Sequence, residues 1–174
     1  MKKLFKRIYS FLLRRDDPAY CWTIREKALS SRKPFCYFYR HKWQKILRRS
    51  NSFIPLSATF FGCPVFPHGF HGTFISSGAT IGKGCTIFHQ VTIGSNLLPD
   101  TKNPGAPTIG KNVYIGAGAK IIGGIHIGDN VRIGANCVVV ENIPDNCTVV
   151  LPSPRIITHD TVRDNQFVVW ENKP

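Results

Sequence analysis

Aliphatic residues recur at every sixth position through residues 75 to 143, with one interruption. Cut from Ile75, the chain reads ISSGAT, IGKGCT and IFHQVT, then resumes after a gap as IGKNVY, IGAGAK, IIGGIH, IGDNVR, IGANCV and VVENIP. Each unit opens on Ile or Val and carries a small or β-branched residue fifth, from Ala79 and Cys85 through Val131 and Cys137. A period of six matches neither the 3.6 residues of a helix nor the alternation of a simple meander. It suits a coil in which each unit contributes one short strand and one turn, which predicts a mainly β protein built as a parallel β-helix of hexapeptide repeats. The first position then fills the interior, and the small fifth position lets the chain bend inward.

The flanks follow other patterns. Residues 2–15 carry Leu4, Phe5, Ile8, Tyr9, Phe11 and Leu12 at helical spacing among basic residues. Asp17-Pro18 predicts an N-cap followed by proline at the first helical position, opening a helix through about Leu29. A further helix is predicted over Phe35–Arg49, rich in aromatic residues. Residues 1–50 therefore read as an α-helical segment that covers the open end of the coil, residues 51–157 as the β-helix with a loop at 95–108, and residues 158–174 as a tail. IPLSAT, from Ile54, already resembles a repeat, but Ile54 and Ile75 lie 21 apart, so slack is expected in FGCPVFPHGF. Beyond Pro144 the repeat fades, and the remaining chain, with a strand-like run at Phe167–Trp170, reads as C-terminal capping.

Charge sharpens this division. Residues 1–50 hold 15 Lys and Arg against 3 acids, and residues 51–174 hold 8 against 7, so the formal +13 belongs almost wholly to the helical segment. That segment suits peripheral contact with an anionic membrane surface; no nucleic-acid motif accompanies it. Cys85 and Cys137 occupy the inward fifth position and no CxxC occurs, which favours a reduced, cytoplasmic protein, placed at the inner face of a membrane if the basic helix docks there. No run approaches the roughly 20 apolar residues of a membrane span. MKKLFKRIYSFLLRR is broken by Lys6 and Arg7 and lacks a cleavage site, so it does not read as a secretory signal.

Three units make a coil of 18 residues, and strands in neighbouring coils stack about 4.8 Å apart. Sixteen residues separate Ile93 from Ile109 where six are needed, so ten are looped out. With that allowance, His71, His89, Ala117 and Ala135 share the third position and fall on one edge, pointing outward. Neither histidine is needed for the core, and both are candidates for acid–base work. His68 lies in the irregular stretch and reads as a turn residue; His41, His126 and His159 lie off the column. In the loop, SNLLPDTKNPGAPT, Asn96 and Asp100 are candidates to bind an acceptor.

The hexads resemble those of the hexapeptide-repeat acyltransferases, whose coils are left-handed. From about Ile54 to Ile157 the chain is similar to the serine acetyltransferase branch, especially shorter relatives tied to surface-polysaccharide synthesis, through HGTFISSGATIG, VTIG, APTIGKNVYIGAGAKIIG and PSPRII. The resemblance implies a homotrimer with acetyl-CoA in the groove between coils and the loop closing over it. It would set Ala117 and Ala135 against the pantetheine arm, keep the groove shallow at Gly116, Gly118 and Gly134, and bring Arg155 to the phosphates. The branch carries Arg-His-Pro in its loop, where this chain has Gly105-Ala106-Pro107. His89 instead matches the third position of the I-x-H-x-x-T hexad of lipid A acyltransferases, and His71 resembles the histidine of a His-Ala-Thr-Gly stretch at the serine site.

These features lead to an acetyl-CoA-dependent O-acetyltransferase in which His89, or failing that His71, takes the proton of a sugar or glycan hydroxyl by direct transfer. L-serine is the alternative acceptor, and a non-catalytic trimeric scaffold is the alternative from another class. No metal is expected: the zinc-binding carbonic anhydrases of this superfamily need a histidine pair five apart, and the residues five beyond His71 and His89 are Ser76 and Gly94.

Overall fold

The computed structural model describes residues 17–166. The amphipathic segment 2–15 and the run Phe167–Trp170 lie outside the described residues. Two helices, α1 (Pro18–Ser30) and α2 (Phe35–Arg49), precede twelve short strands. The Oδ1 of Asp17 accepts a hydrogen bond from the Ala19 amide at 2.9 Å, and Pro18 sits in the first turn, as the sequence predicts.

The strands form three parallel faces of a triangular coil. The first face holds β2 (Phe74–Ile75), β5 (Thr92–Gly94), β8 (Lys120–Ile122) and β11 (Val138–Val139). The second holds β1 (Thr59–Phe60), β3 (Thr80–Ile81), β6 (Thr108–Ile109) and β9 (His126–Ile127). The third holds β4 (Thr86–Ile87), β7 (Tyr114–Ile115), β10 (Arg132–Ile133) and β12 (Thr148–Val149). Each strand joins the sixth residue of one hexad to the first of the next, so the sixth points out and the first points in.

Register follows the period. Ile75 pairs with Ile93, Ile93 with Ile121, and Ile121 with Val139. Ile81, Ile109 and Ile127 stack likewise, as do Ile87, Ile115 and Ile133. All of these side chains are at most 3% exposed, so each Ile contributes roughly 1.5–3 kcal/mol of burial. The fifth-position residues Ala79, Cys85, Val91, Val113, Ala119, Ile125, Val131 and Cys137 are buried beside them.

Irregularities are confined to corners. Phe53 pairs with Phe74, Thr59 with Thr80 and Val65 with Thr86, each 21 apart, so the three surplus residues of the first coil lie between Val65 and Phe74. The ten-residue insertion separates β5 from β6, at the corner between the first and second faces. At the corner between the second and third faces, Asn112, Asn130 and Asn146 adopt positive φ of 54°, 59° and 60°. Their side chains stitch successive coils, with Asn112 Nδ2 donating to Asn130 Oδ1 at 2.9 Å and Asn130 Nδ2 to Asn146 Oδ1 at 3.0 Å.

The helices close the N-terminal end with aromatic surface. Trp22 packs edge-on against Phe60 and Trp43, and Trp43 against Phe70, while the Trp43 indole donates to the Ile54 carbonyl at 2.9 Å. Arg25, 4% exposed, lies over the Trp22 and Phe60 rings and donates to the carbonyls of Ala58 at 2.6 Å and Leu56 at 3.4 Å. Its guanidinium thus satisfies carbonyls at the coil's open end, and burial pushes its pKa down while Glu26 opposes that shift. At the other end Ile143, Cys147 and Val149 are only partly buried, and residues 150–166 are exposed without regular structure, so these described residues do not close the last rung.

Arg25→Ala should therefore lower unfolding free energy by about 2–3 kcal/mol, through lost packing and two orphaned carbonyls. Urea titration of the purified protein measures it; a loss under about 0.5 kcal/mol would show that the guanidinium does not hold the cap.

Candidate functional site

The corner between the third and first faces is built from consecutive turns at the third and fourth hexad positions. The Gln90 amide donates to the His71 carbonyl at 2.8 Å, Gly118 to His89 at 3.0 Å, and Asn136 to Ala117 at 2.8 Å. His71, His89, Ala117 and Ala135 are therefore successive rungs of one backbone ladder. His71 and Ala135 are exposed, and His89 and Ala117 half-buried, so none serves the interior.

The surplus residues of the first coil add a third imidazole. His68 Nδ1 lies 2.9 Å from His89 Nδ1, with ring centroids 4.9 Å apart, and the His68 ring stands edge-on to Phe88 at 5.1 Å. Sequence reasoning missed this contact. The surplus of three at positions 54–75 was visible, but the period says nothing about where a side chain inside an aperiodic bulge points.

His71 faces another way. It lines a cleft of about 310 Å³ between the helices and the first coil, together with Arg49, Ser50, Ile46, Cys21, Gly69 and Phe70. Arg49 is exposed at the end of α2 and forms no ion pair with a described residue. The cleft joins a guanidinium, a hydroxyl and an imidazole against the apolar walls of Ile46 and Phe70, a donor set suited to a small anionic molecule.

The glycines of the groove have structural duties. A Cβ on Gly116 would press on Ala135 N at 2.7 Å and Gly134 C at 2.9 Å, and one on Gly134 would meet Val149 O at 3.2 Å, so both permit coil-on-coil stacking. Gly118 has φ +71°, and a Cβ there would collide with Asn136 Oδ1. Arg155 lies in the exposed tail without a hydrogen bond to any described residue.

The loop does not meet the histidines within one chain. Its root is the corner between the first and second faces, whereas the ladder of His71 and His89 runs along the corner between the third and first. Asn96 is committed to the loop itself: its backbone exchanges two hydrogen bonds with Gly105, its Oδ1 accepts from Leu98 N at 3.1 Å, and its Nδ2 donates to Thr101 Oγ1 at 2.9 Å. Asp100 is exposed. Leu97 and Leu98 are 78% and 63% exposed, and Asn103 ties the loop back to the Val140 carbonyl at 3.3 Å.

Residues 106–140 match the bacterial transferase hexapeptide (six repeats) family. The serine acetyltransferase of Synechococcus elongatus is 44% identical over 96 residues, 55% of this chain and 38% of that protein. Over about half of its length the chain is thus similar to serine acetyltransferases, and part of its coil matches the hexapeptide transferase repeat. Serine acetyltransferase isoform 3 of Entamoeba histolytica, solved in complex with cysteine, superposes with a TM-score of 0.66 at 30% identity, covering 82% of this chain and 51% of that one. The soybean serine acetyltransferase complexed with serine gives 0.64 at 28% identity, over 82% and 58%. The coil is accordingly the left-handed β-helix. The chain spans about a third to a half of the length of the curated relatives it matches.

Among the described residues no three His, Cys, Asp or Glu side chains gather as a metal-binding group, and no helix is long and apolar enough to cross a membrane. No disulfide links the six cysteines. Burial pushes the Cys85 thiol up, and Cys63, although exposed as a residue, is pushed up to about 11 by partial desolvation, with Glu26 and Asp17 adding to it. Neither is a ready thiolate at neutral pH.

Cys63 should therefore alkylate slowly. A rise from 9.0 to about 11 lowers its thiolate fraction roughly 100-fold, and greater nucleophilicity returns about tenfold of that, so iodoacetamide at pH 7 should react about tenfold slower than with a free cysteine. Mass spectrometry of the time course measures this; a rate equal to that of free cysteine would contradict the desolvated thiol.

Proposed function

We propose that the protein is an acetyl-CoA-dependent O-acetyltransferase, with L-serine the first acceptor and a sugar hydroxyl the second. The observation that carries this reading is the pair of outward imidazoles, His71 and His89, one rung apart on a coil that is 44% identical to a serine acetyltransferase. The relatives' names put serine ahead of the glycan that the loop composition suggests. The sugar keeps a place because the loop presents Gly105-Ala106-Pro107 and two exposed leucines, Leu97 and Leu98, and carries no imidazole.

In this reading His89 is the general base. Its Nε2 takes the proton of the acceptor hydroxyl as the oxygen attacks the thioester carbonyl; the C–S bond then breaks and the proton passes to the departing sulfur, leaving an ester and a thiol. His71 and Arg49 line the acceptor cleft, where the guanidinium suits a carboxylate and the cleft's small volume suits a compact molecule. If the chemistry instead centres on the cleft, His71 is the base.

Acetyl-CoA supplies the acyl group, and the groove beside Ala117 and Ala135 has room for the pantetheine arm because those rungs carry only methyl side chains. Arg155, on the exposed tail, would reach the phosphates. Since Asn96 and Asp100 sit on a different corner from the histidines, the loop would serve the column of a neighbouring copy, which supports a homotrimer. The amides of Gly116, Gly118 and Ala119 donate along the coil, whereas that of Ala117 has no hydrogen-bond acceptor among the described residues, so the oxyanion donor would be the Ala117 amide or one from the neighbouring copy's loop.

Thiol release from acetyl-CoA with L-serine, and separately with nucleotide-linked or free glycans, tests the acceptor. Turnover of serine is expected; turnover of glycans alone would reverse the order, and neither turnover nor a CoA-dependent rise in Tm would favour a non-catalytic scaffold. His89→Ala should lower kcat by about 10²–10⁴. Arg49→Gln should raise the KM for a carboxylate-bearing acceptor about tenfold, the weight of one solvent-accessible charge-assisted hydrogen bond. Wild-type rates in both His89→Ala and His71→Ala would remove the proposal.

A further inference from the structure

Two imidazole nitrogens 2.9 Å apart can share a hydrogen bond only if one carries a proton and the other a lone pair. For the neutral pair that leaves two arrangements. In one, His89 Nδ1–H donates and its Nε2 is left with a lone pair; in the other, His68 donates and His89 carries its proton on Nε2. The surroundings favour the first. His68 is exposed, so its Nε2–H can be solvated by water, whereas half-buried His89 has no hydrogen-bonded protein acceptor for an Nε2–H among the described residues. The His68 ring is steadied edge-on against Phe88, which itself packs on Tyr114 at 5.2 Å, so the acceptor is held in place by the third face of the coil.

We propose that His68 is a positioning residue for His89: it accepts the Nδ1–H of His89 and so holds that imidazole in the tautomer whose Nε2 can take a proton. The role rests on His89 being the base of the transfer proposed above. Once His89 gains the acceptor's proton, its Nδ1–H···Nδ1 bond to His68 becomes charge-assisted, which stabilises the imidazolium until the proton passes to the leaving sulfur. The interaction is possible because the first coil carries three residues more than its successors between the third and first faces. That surplus brings His68 of one coil alongside a rung of the next.

Two measurements test it, one of which needs no turnover. In ¹⁵N-resolved imidazole spectra of the full chain, His89 should be the Nδ1–H tautomer, and His68→Phe, which keeps the ring packing on Phe88 but removes the acceptor, should shift it toward Nε2–H. His68→Asp, whose carboxylate can accept the same bond, should restore Nδ1–H. In the thiol-release assay His68→Phe should lower kcat about 10- to 100-fold, a share of the roughly 10²–10⁴ a positioned base supplies, with KM for acetyl-CoA unchanged, and His68→Asp should recover at least tenfold of it. An Nε2–H tautomer of His89 in the wild type, or a tautomer indifferent to His68→Phe in a variant with wild-type Tm, overturns the proposal. Correct tautomers with no acetyl transfer to any acceptor would leave the dyad standing and sink the activity instead.

Discussion

Everything in this molecule depends on the vertical register between coils. Each rung hydrogen-bonds to the one above and below along three parallel faces, and from Ile75 on an aliphatic side chain sits on an aliphatic side chain at the first position of the hexads. A single-residue slip on any face would turn a buried Ile outward and an outward Thr or Lys inward. Length changes are therefore driven to the corners, where the backbone leaves the ladder. The described residues show three such changes: three residues gained in the first coil, ten gained in the loop, and two lost in the last coil, where Ile127 pairs with Ile143 only 16 residues on.

The same register gives the candidate site its geometry. Because corners stack, a residue type placed third in successive hexads becomes a column, and two imidazoles followed by two alanines become a polar end beside a shallow groove. The frame beneath is rigid, with Val91, Ile93 and Ile115 fully buried, so the imidazoles rest on a base that does not need to reorganise. The glycines near them answer first to coil stacking: the spaces that Cβ atoms would fill at Gly116 and Gly134 hold the backbone of the next coil.

The helical segment does more than close an end. Its aromatic face and Arg25 satisfy the open rung, while the end of α2 brings Arg49 to the cleft that His71 lines. Part of the strong basic character of residues 1–50 thus stands at the candidate acceptor site, which gives the charge a use that does not require a membrane or a polyanion. A segment that reads as a cap is also one wall of the site.

The hexad period by itself determined the coil, its interior, the pairing of Ile93 with Ile121 across ten looped-out residues, and the ladder from His71 to Ala135. Local signals outside the repeat placed α1 and α2 nearly to the residue, through Asp17-Pro18 and the aromatic run after Pro34. These are properties that each short stretch repeats or signals locally, so they survive without knowledge of neighbours. The tertiary structure alone decided that His68 meets His89, that His71 turns toward Arg49, that Asn96 is committed within its own loop, and that loop and histidines stand on different corners. Those facts depend on where an aperiodic bulge and a helix end come to rest against the regular frame. No pattern along the chain encodes that, because packing between distant segments chooses it.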